Sequence, residues 1–113
     1  MGVNIHYYTV YGVKTEYIND FSDHYYEDDL FDKVEANEDV DVIVGEDYMI
    51  FGKILFDSGD LRWNDIEDAY VEINPAHLKM YKVKATKAFN QLVPEYKQLL
   101  EGEWKLMTLV HYS

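Results

Sequence analysis

The chain has 113 residues, with 22 acids against 10 bases for a net charge of −12, and it is 48% hydrophobic and 16% aromatic. That length makes a single domain, 1–113, large enough to bury a core. Having no Cys, it offers neither disulfides nor thiolate chemistry, and so acidic a body repels phosphate, so no direct nucleic-acid binding is expected. The charge is uneven. Residues 1–75 hold 19 acids and 4 bases, whereas residues 76–113 hold 3 acids and 6 lysines. Such a layout attracts basic proteins or serves solubility. The start, Met1-Gly2-Val3-Asn4, has neither the charged nor the long apolar region of a signal peptide. No stretch is apolar for long enough to cross a bilayer, so no membrane partner is expected.

Val3 to Tyr11 alternates β-branched and aromatic residues, which predicts a strand. Gly12 permits a bend or bulge, after which Val13 to Tyr17 either continues the strand or turns back. Asn19 to Ser22 predicts the start of a helix, capped by Ser22 or Asp23. Over residues 23–36, Tyr26, Leu30 and Val34 recur at helical spacing with Phe31 beside them, and Asp28, Asp32 and Glu35 take the outer face, flanked by Glu27 and Asp29.

Val40 to Trp63 is the densest apolar run, punctuated at Gly45-Glu46-Asp47 and at Asp57-Ser58-Gly59-Asp60. It predicts two strands joined by a tight turn in the middle of a sheet. The second strand is apolar on both faces, hence covered on both. Lys53 is its exception and is expected to reach water along its own stem. Gly52 marks a bulge or a close contact.

Asn64 to about Tyr70 predicts a short helix. Pro75 opens the next one, where Leu78, Tyr81, Ala85, Phe89 and Leu92 form a stripe. Pro94 interrupts it, Glu95 to Glu101 adds about two turns, and Gly102 is a stop. Trp104 to Tyr112 closes the chain as a strand. The fold class is therefore α+β, a mainly antiparallel sheet with a central hairpin at about 40–57. Its order is β(β)-α-ββ-α-α-β, with helices packed on one face; the pattern allows the terminal strands to be neighbours and does not decide it.

The chemistry on offer is sparse. His6, His24, His77 and His111 form no metal-binding spacing. His6 and His111 make a metal or a general base conceivable only if their strands are adjacent; otherwise they are structural. Asp57, Asp60, Asp65 and Asp68 crowd Arg62 without the calcium-loop order. Ser58 lacks a nucleophile context. Arg62, the sole arginine, stands next to Trp63 and either pairs with a loop acid or clamps an anion. No catalytic residue, metal ligand or cofactor is assigned, and no enzyme is expected.

The stretches IHYYTVYGVK at 5–14, LFDSGDLRW at 55–63 and LVHYS at 109–113 resemble small acidic proteins of tailed bacteriophages. The resemblance implies a product made in the cytoplasm of the host cell during infection. Proteins of that kind often act by binding, and the resemblance transfers no site residue.

Two functions follow as expectations. The first is a non-enzymatic inhibitor of a host or anti-phage defence protein. It binds through an acidic face, in one version a DNA mimic, carried by Asp20, Asp23, Glu27, Asp28, Asp29, Asp32, Glu35, Glu38 and Asp39, with Asp41, Glu46 and Asp47 beside them. The second is a homo-oligomeric sponge for a nucleotide-like signal, held by Tyr7, Tyr8, Arg62, Trp63, Lys79 and Lys82.

Overall fold

Strand β1, Asn4–Glu16, is the longest in the sheet and lies at its centre. The computed structural model describes residues 4–27, 29–59, 61–62 and 72–112. The helix expected at 64–70 falls outside them, as do Asp28, Asp60, Trp63, Asp65 and Asp68. On one edge β1 pairs antiparallel with β3, Tyr48–Asp57, and on the other with β5, Lys105–Tyr112. The terminal strands are therefore neighbours. β2, Asp41–Val44, pairs with the outer edge of β3 and forms the rim of the sheet. All the pairings are antiparallel.

The expected hairpin exists, closed where the Gly45 N–H donates to the Tyr48 carbonyl at 2.9 Å. Only its second strand is central, however. The run after it differs too. β4, Leu61–Arg62, pairs with Asn4 and Ile5 on the same edge of β1 that β3 occupies. Asp57-Ser58-Gly59 therefore does not reverse the chain. Gly59, with φ 68, kinks it, and the strand resumes alongside the same partner. Gly12 is not a bulge either, because β1 runs straight through it. The register shift falls between Thr9 and Val10, which pair with Phe56 and Ile54 and leave Leu55 as the extra residue on β3.

Helix α1, Asn19–Glu27, starts earlier than its expected cap. Ser22 lies inside it, buried, with its hydroxyl 2.6 Å from that of Tyr17. The early start lets Phe21 and Tyr25, one turn apart, both face the sheet. The single helix expected over 23–36 is broken. Asp29 takes a left-handed φ of 62, a conformation that Asp tolerates better than most residues. α2, Leu30–Glu35, then begins in a new phase. Leu30 and Val34 are buried as expected, but Tyr25 has replaced Tyr26, which is 58% exposed.

α3, Pro75–Leu92, follows its expected pattern, with Asn74 Oδ1 accepting the Ala76 N–H at 3.0 Å and Ala85 and Phe89 buried. Ala88 is also buried. Pro94 starts a 3₁₀ helix, Pro94–Glu101, tighter than the α-helical turns expected there.

Two cores result. On the helix face, Met49 and Phe51 of β3 meet Phe21, Tyr25, Val34, Ala85, Phe89 and Leu100. The Phe51 ring stands edge-on to Phe21 at 5.0 Å and to Phe89 at 5.4 Å, geometries that aromatic pairs favour. On the other face Val10, Ile43 and Ile50 form a smaller cluster flanked by Tyr8, Ile54 and Met107. β3 is apolar on both faces because both are packed.

Candidate functional site

The acids singled out in the sequence are borne by two short helices and the turn after them. Asp20, Asp23 and Glu27 are exposed on α1, Asp29 precedes α2, Asp32 and Glu35 are exposed on it, and Glu38 and Asp39 follow it. Among the described residues no ion pair engages Asp20, Asp23, Glu27, Asp29 or Asp32. Their charge is left to act outward.

The same two helices carry a feature that the helical period missed. The break at Asp29 leaves Tyr26 58% and Phe31 42% exposed, and their rings stack 6.2 Å apart at 26°. Both rings pack edge-on against the buried Tyr25, at 5.0 and 5.5 Å. Tyr25 lies 5.9 Å from Phe21, which meets Phe51 of the central sheet. The surface pair is thus the outer end of an aromatic chain rooted in the core, which holds it in place before any partner arrives. Burial pushes the Tyr25 hydroxyl far above the usual tyrosine range, and the Glu35 carboxylate adds to this, so Tyr25 stays neutral. The signal available in the sequence was Tyr25-Tyr26 next to a Glu-Asp-Asp run, a weak helix interior in which the phase could slip.

The histidines come together as a strand register. His6 of β1 stands opposite His111 of β5. The His6 ring stacks on Tyr8 at 4.3 Å and hydrogen-bonds through Nε2 to the carboxylate of Asp57, which also accepts the Gly59 N–H at 2.9 Å. Ser58 lies beside them, but its hydroxyl accepts the Tyr7 N–H at 2.9 Å and donates to the Gly59 carbonyl at 2.8 Å. It thereby braces the kink. Asp57 and His6 accordingly tie the end of β3 to β1. Among the described residues no group of three His, Asp or Glu side chains is placed to hold a metal ion.

Of the residues chosen for an anion pocket, Tyr7, Tyr8 and Arg62 belong to the sheet and Lys79 and Lys82 to α3, while Trp63 lies outside the described residues. Tyr7 and Tyr8 are consecutive in β1 and face opposite sides of the sheet. Tyr8 lines a cleft of about 440 Å³ with Glu35, Asp41 and Asp57, whose carboxylates repel an anion. Arg62 pairs through its backbone with Asn4. Lys79 and Lys82 are exposed on α3, with the Lys82 ammonium 5.9 Å from the Trp104 ring centroid. A second cleft, of about 340 Å³, opens where α3 begins and brings together Lys53, Asn74, His77 and Tyr81. No local sequence signal joins those four, because Lys53 is separated from α3 by the whole of β4 and the stretch after it.

Asp41 lines the acidic cleft and is half-buried. Its Oδ2 accepts the Ile54 N–H at 2.7 Å, so its side chain continues the pairing of β3 where β2 ends. Burial raises its pKa above the usual carboxylate range; the Ile54 hydrogen bond and Lys53 oppose this, while Glu35 and Asp57 add to it. Among the described residues no helix is long and apolar enough to cross a membrane. Compared with protein-family models, curated proteins and solved structures, the chain matches none.

Proposed function

We propose that the chain is a non-enzymatic binding protein that recognises a basic protein surface through α1 and α2. The observation that carries the reading is the exposed Tyr26–Phe31 pair, anchored to the core and borne by the same two helices as carboxylates without ion-pair partners among the described residues. An aromatic face binds a desolvated Arg or Lys, and the surrounding acids steer the cation to it. A phosphate mimic needs only the acids. The aromatic centre therefore favours a protein contact with its own hot spot over DNA mimicry. With the phage resemblance, the partner is a host or anti-phage defence protein in the host cytoplasm, and the outcome is its inhibition.

The test compares the wild-type protein with a Tyr26→Ser/Phe31→Ser variant and an Asp29→Asn/Asp32→Asn variant, each immobilised and exposed to host lysate. The wild type retains a basic protein that raised salt releases, and both variants lose it while remaining folded. If both variants retain the same protein, the face is not the binding site. Expression of the wild type but not of the variants then reproduces the inhibitory phenotype.

The cleft at the start of α3 favours a second reading, a sponge for a nucleotide-like anion. Lys53 supplies charge beside the Glu72 carboxylate, and Tyr81 a stacking face. Salt separates the two, since a contact made through surface charge weakens steeply with salt and a desolvated pocket does not.

A further inference from the structure

The two rims of the sheet are finished differently. β2 has four residues, and the Asp41 carboxylate occupies the Ile54 N–H beyond its end. β5 has eight, with the sequence KLMTLVHY, lacking proline, glycine and any acid. Its inner edge bonds β1, and among the described residues its outer edge carries no strand. Leu106 and Val110 are 47% and 43% exposed on the same side of this strand. Long apolar rims of this kind pair with another strand unless something blocks them.

The register shows which backbone groups face out. The Tyr7 N–H donates to Ser58 Oγ and its carbonyl accepts the Ser58 N–H, so the Tyr7 backbone points to the β3 and β4 edge. Alternation then turns Tyr8 and Val10 toward β5, where they stand opposite Leu109 and Met107. Leu106, Thr108 and Val110 consequently direct their N–H and C=O groups to the open side.

We infer that this edge joins a second copy of the chain, β5 against β5, antiparallel about a two-fold axis at Thr108. In that register Thr108 meets its own copy and Leu106 meets Val110 of the other chain. Each of these pairs exchanges two backbone hydrogen bonds, and the exposed apolar side chains fall beside each other on one face. The self-complementary pattern of the strand, Leu106 against Val110 about Thr108, selects a copy of the same chain as the occupant, and the charge layout admits it. β5 carries Lys105 and no acid, so this rim escapes the repulsion that keeps acidic bodies apart. α2 contacts the rim strand β2, three strand spacings from β5, and α1 packs through Phe21 on Phe51 of β3, two spacings from it. Those spacings are about 14 and 10 Å, both beyond the roughly 8 Å reach of unscreened charge at physiological salt. Pairing at β5 builds one continuous sheet and leaves both acidic faces at its far ends.

The test is the mass of the full chain in solution, by sedimentation and by native mass spectrometry over a dilution series. The wild type has twice the chain mass and dissociates on dilution, and the Leu106, Thr108 and Val110 amides exchange faster as it does so. Thr108→Pro removes an outward N–H that β1 does not use, a position where edge strands accept proline, and yields a monomer with unchanged circular dichroism. Leu106→Lys/Val110→Lys does the same by charge, and decides the matter should the proline variant fail to fold. A wild type that is monomeric at every concentration, or a dimer that survives the folded variants, overturns the inference.

Discussion

Gly12 of β1 stands directly opposite Gly52 of β3, and neither position has room for a side chain. A Cβ on Gly12 would lie 2.3 Å from the Phe51 carbonyl oxygen, and one on Gly52 would lie 2.2 Å from that of Tyr11. The obstacle in each case is backbone in the middle of the sheet, which cannot move aside without opening the ladder. Gly12→Ala or Gly52→Ala is expected to lower stability by about 3 kcal/mol, the upper part of the range for overpacking. Urea unfolding of either variant within about 0.5 kcal/mol of the wild type, the size of an ordinary surface change, would show that the strands separate there at little cost.

Phe51 is fully buried and touches both Phe21 and Phe89. Phe51→Ala is expected to cost about 3–5 kcal/mol, as large-to-small changes at buried rings do. Ile54 is only half-buried at the margin of the second cluster. Ile54→Ala should therefore cost less, roughly 1 kcal/mol, in proportion to the area it hides. An Ile54→Ala loss equal to that of Phe51→Ala would place the main core on the wrong face of β3.

Asp41 gives the protein a pH dependence with a definite sign. Its folded pKa lies above its unfolded one, so between the two values the native state binds more protons than the unfolded state. The contribution of this group is then largest below the unfolded value, near 4, and is lost as pH rises through the raised folded value. Asp41→Asn keeps an oxygen for the Ile54 N–H and removes the charge. Thermal melts are expected to show the variant more stable than the wild type at neutral pH and equal to it at acid pH. A variant less stable at neutral pH would mean that the charged hydrogen bond to Ile54 outweighs the burial.

Tyr26 and Phe31 are set outward by the break at Asp29, so replacing them with Ser is expected to change stability by only about 0.5 kcal/mol each, as surface substitutions do. Asp29→Gly should preserve or raise stability, since Gly adopts the left-handed φ of 62 without strain. Should Asp29→Gly instead melt α2, the carboxylate has a structural duty beyond permitting the turn. Circular dichroism with thermal melting reads both effects.

The sequence by itself determined the elements whose signal is local. Two-residue alternation marked β1, β3 and β5, and the cap and proline at Asn74-Pro75 marked α3, because each depends on neighbours a few residues apart. The concentration of acids before residue 76 was equally legible, being a matter of composition. The tertiary structure alone decided what depends on partners distant in the chain. Alternation says which residues share a face but not which strand lies alongside, so the placing of β5 on β1, and with it His6 opposite His111, appears only when the ladder forms. The same holds for Asp57-Ser58-Gly59, where turn-forming residues make a kink because β4 finds the same edge of β1 as β3. A single left-handed residue at Asp29 shifted the helical phase, burying Tyr25 and exposing Tyr26 and Phe31. Helical period carries no signal for that break, because Tyr25 and Tyr26 are chemically alike and only the position of Phe21 and Phe51 chooses between them.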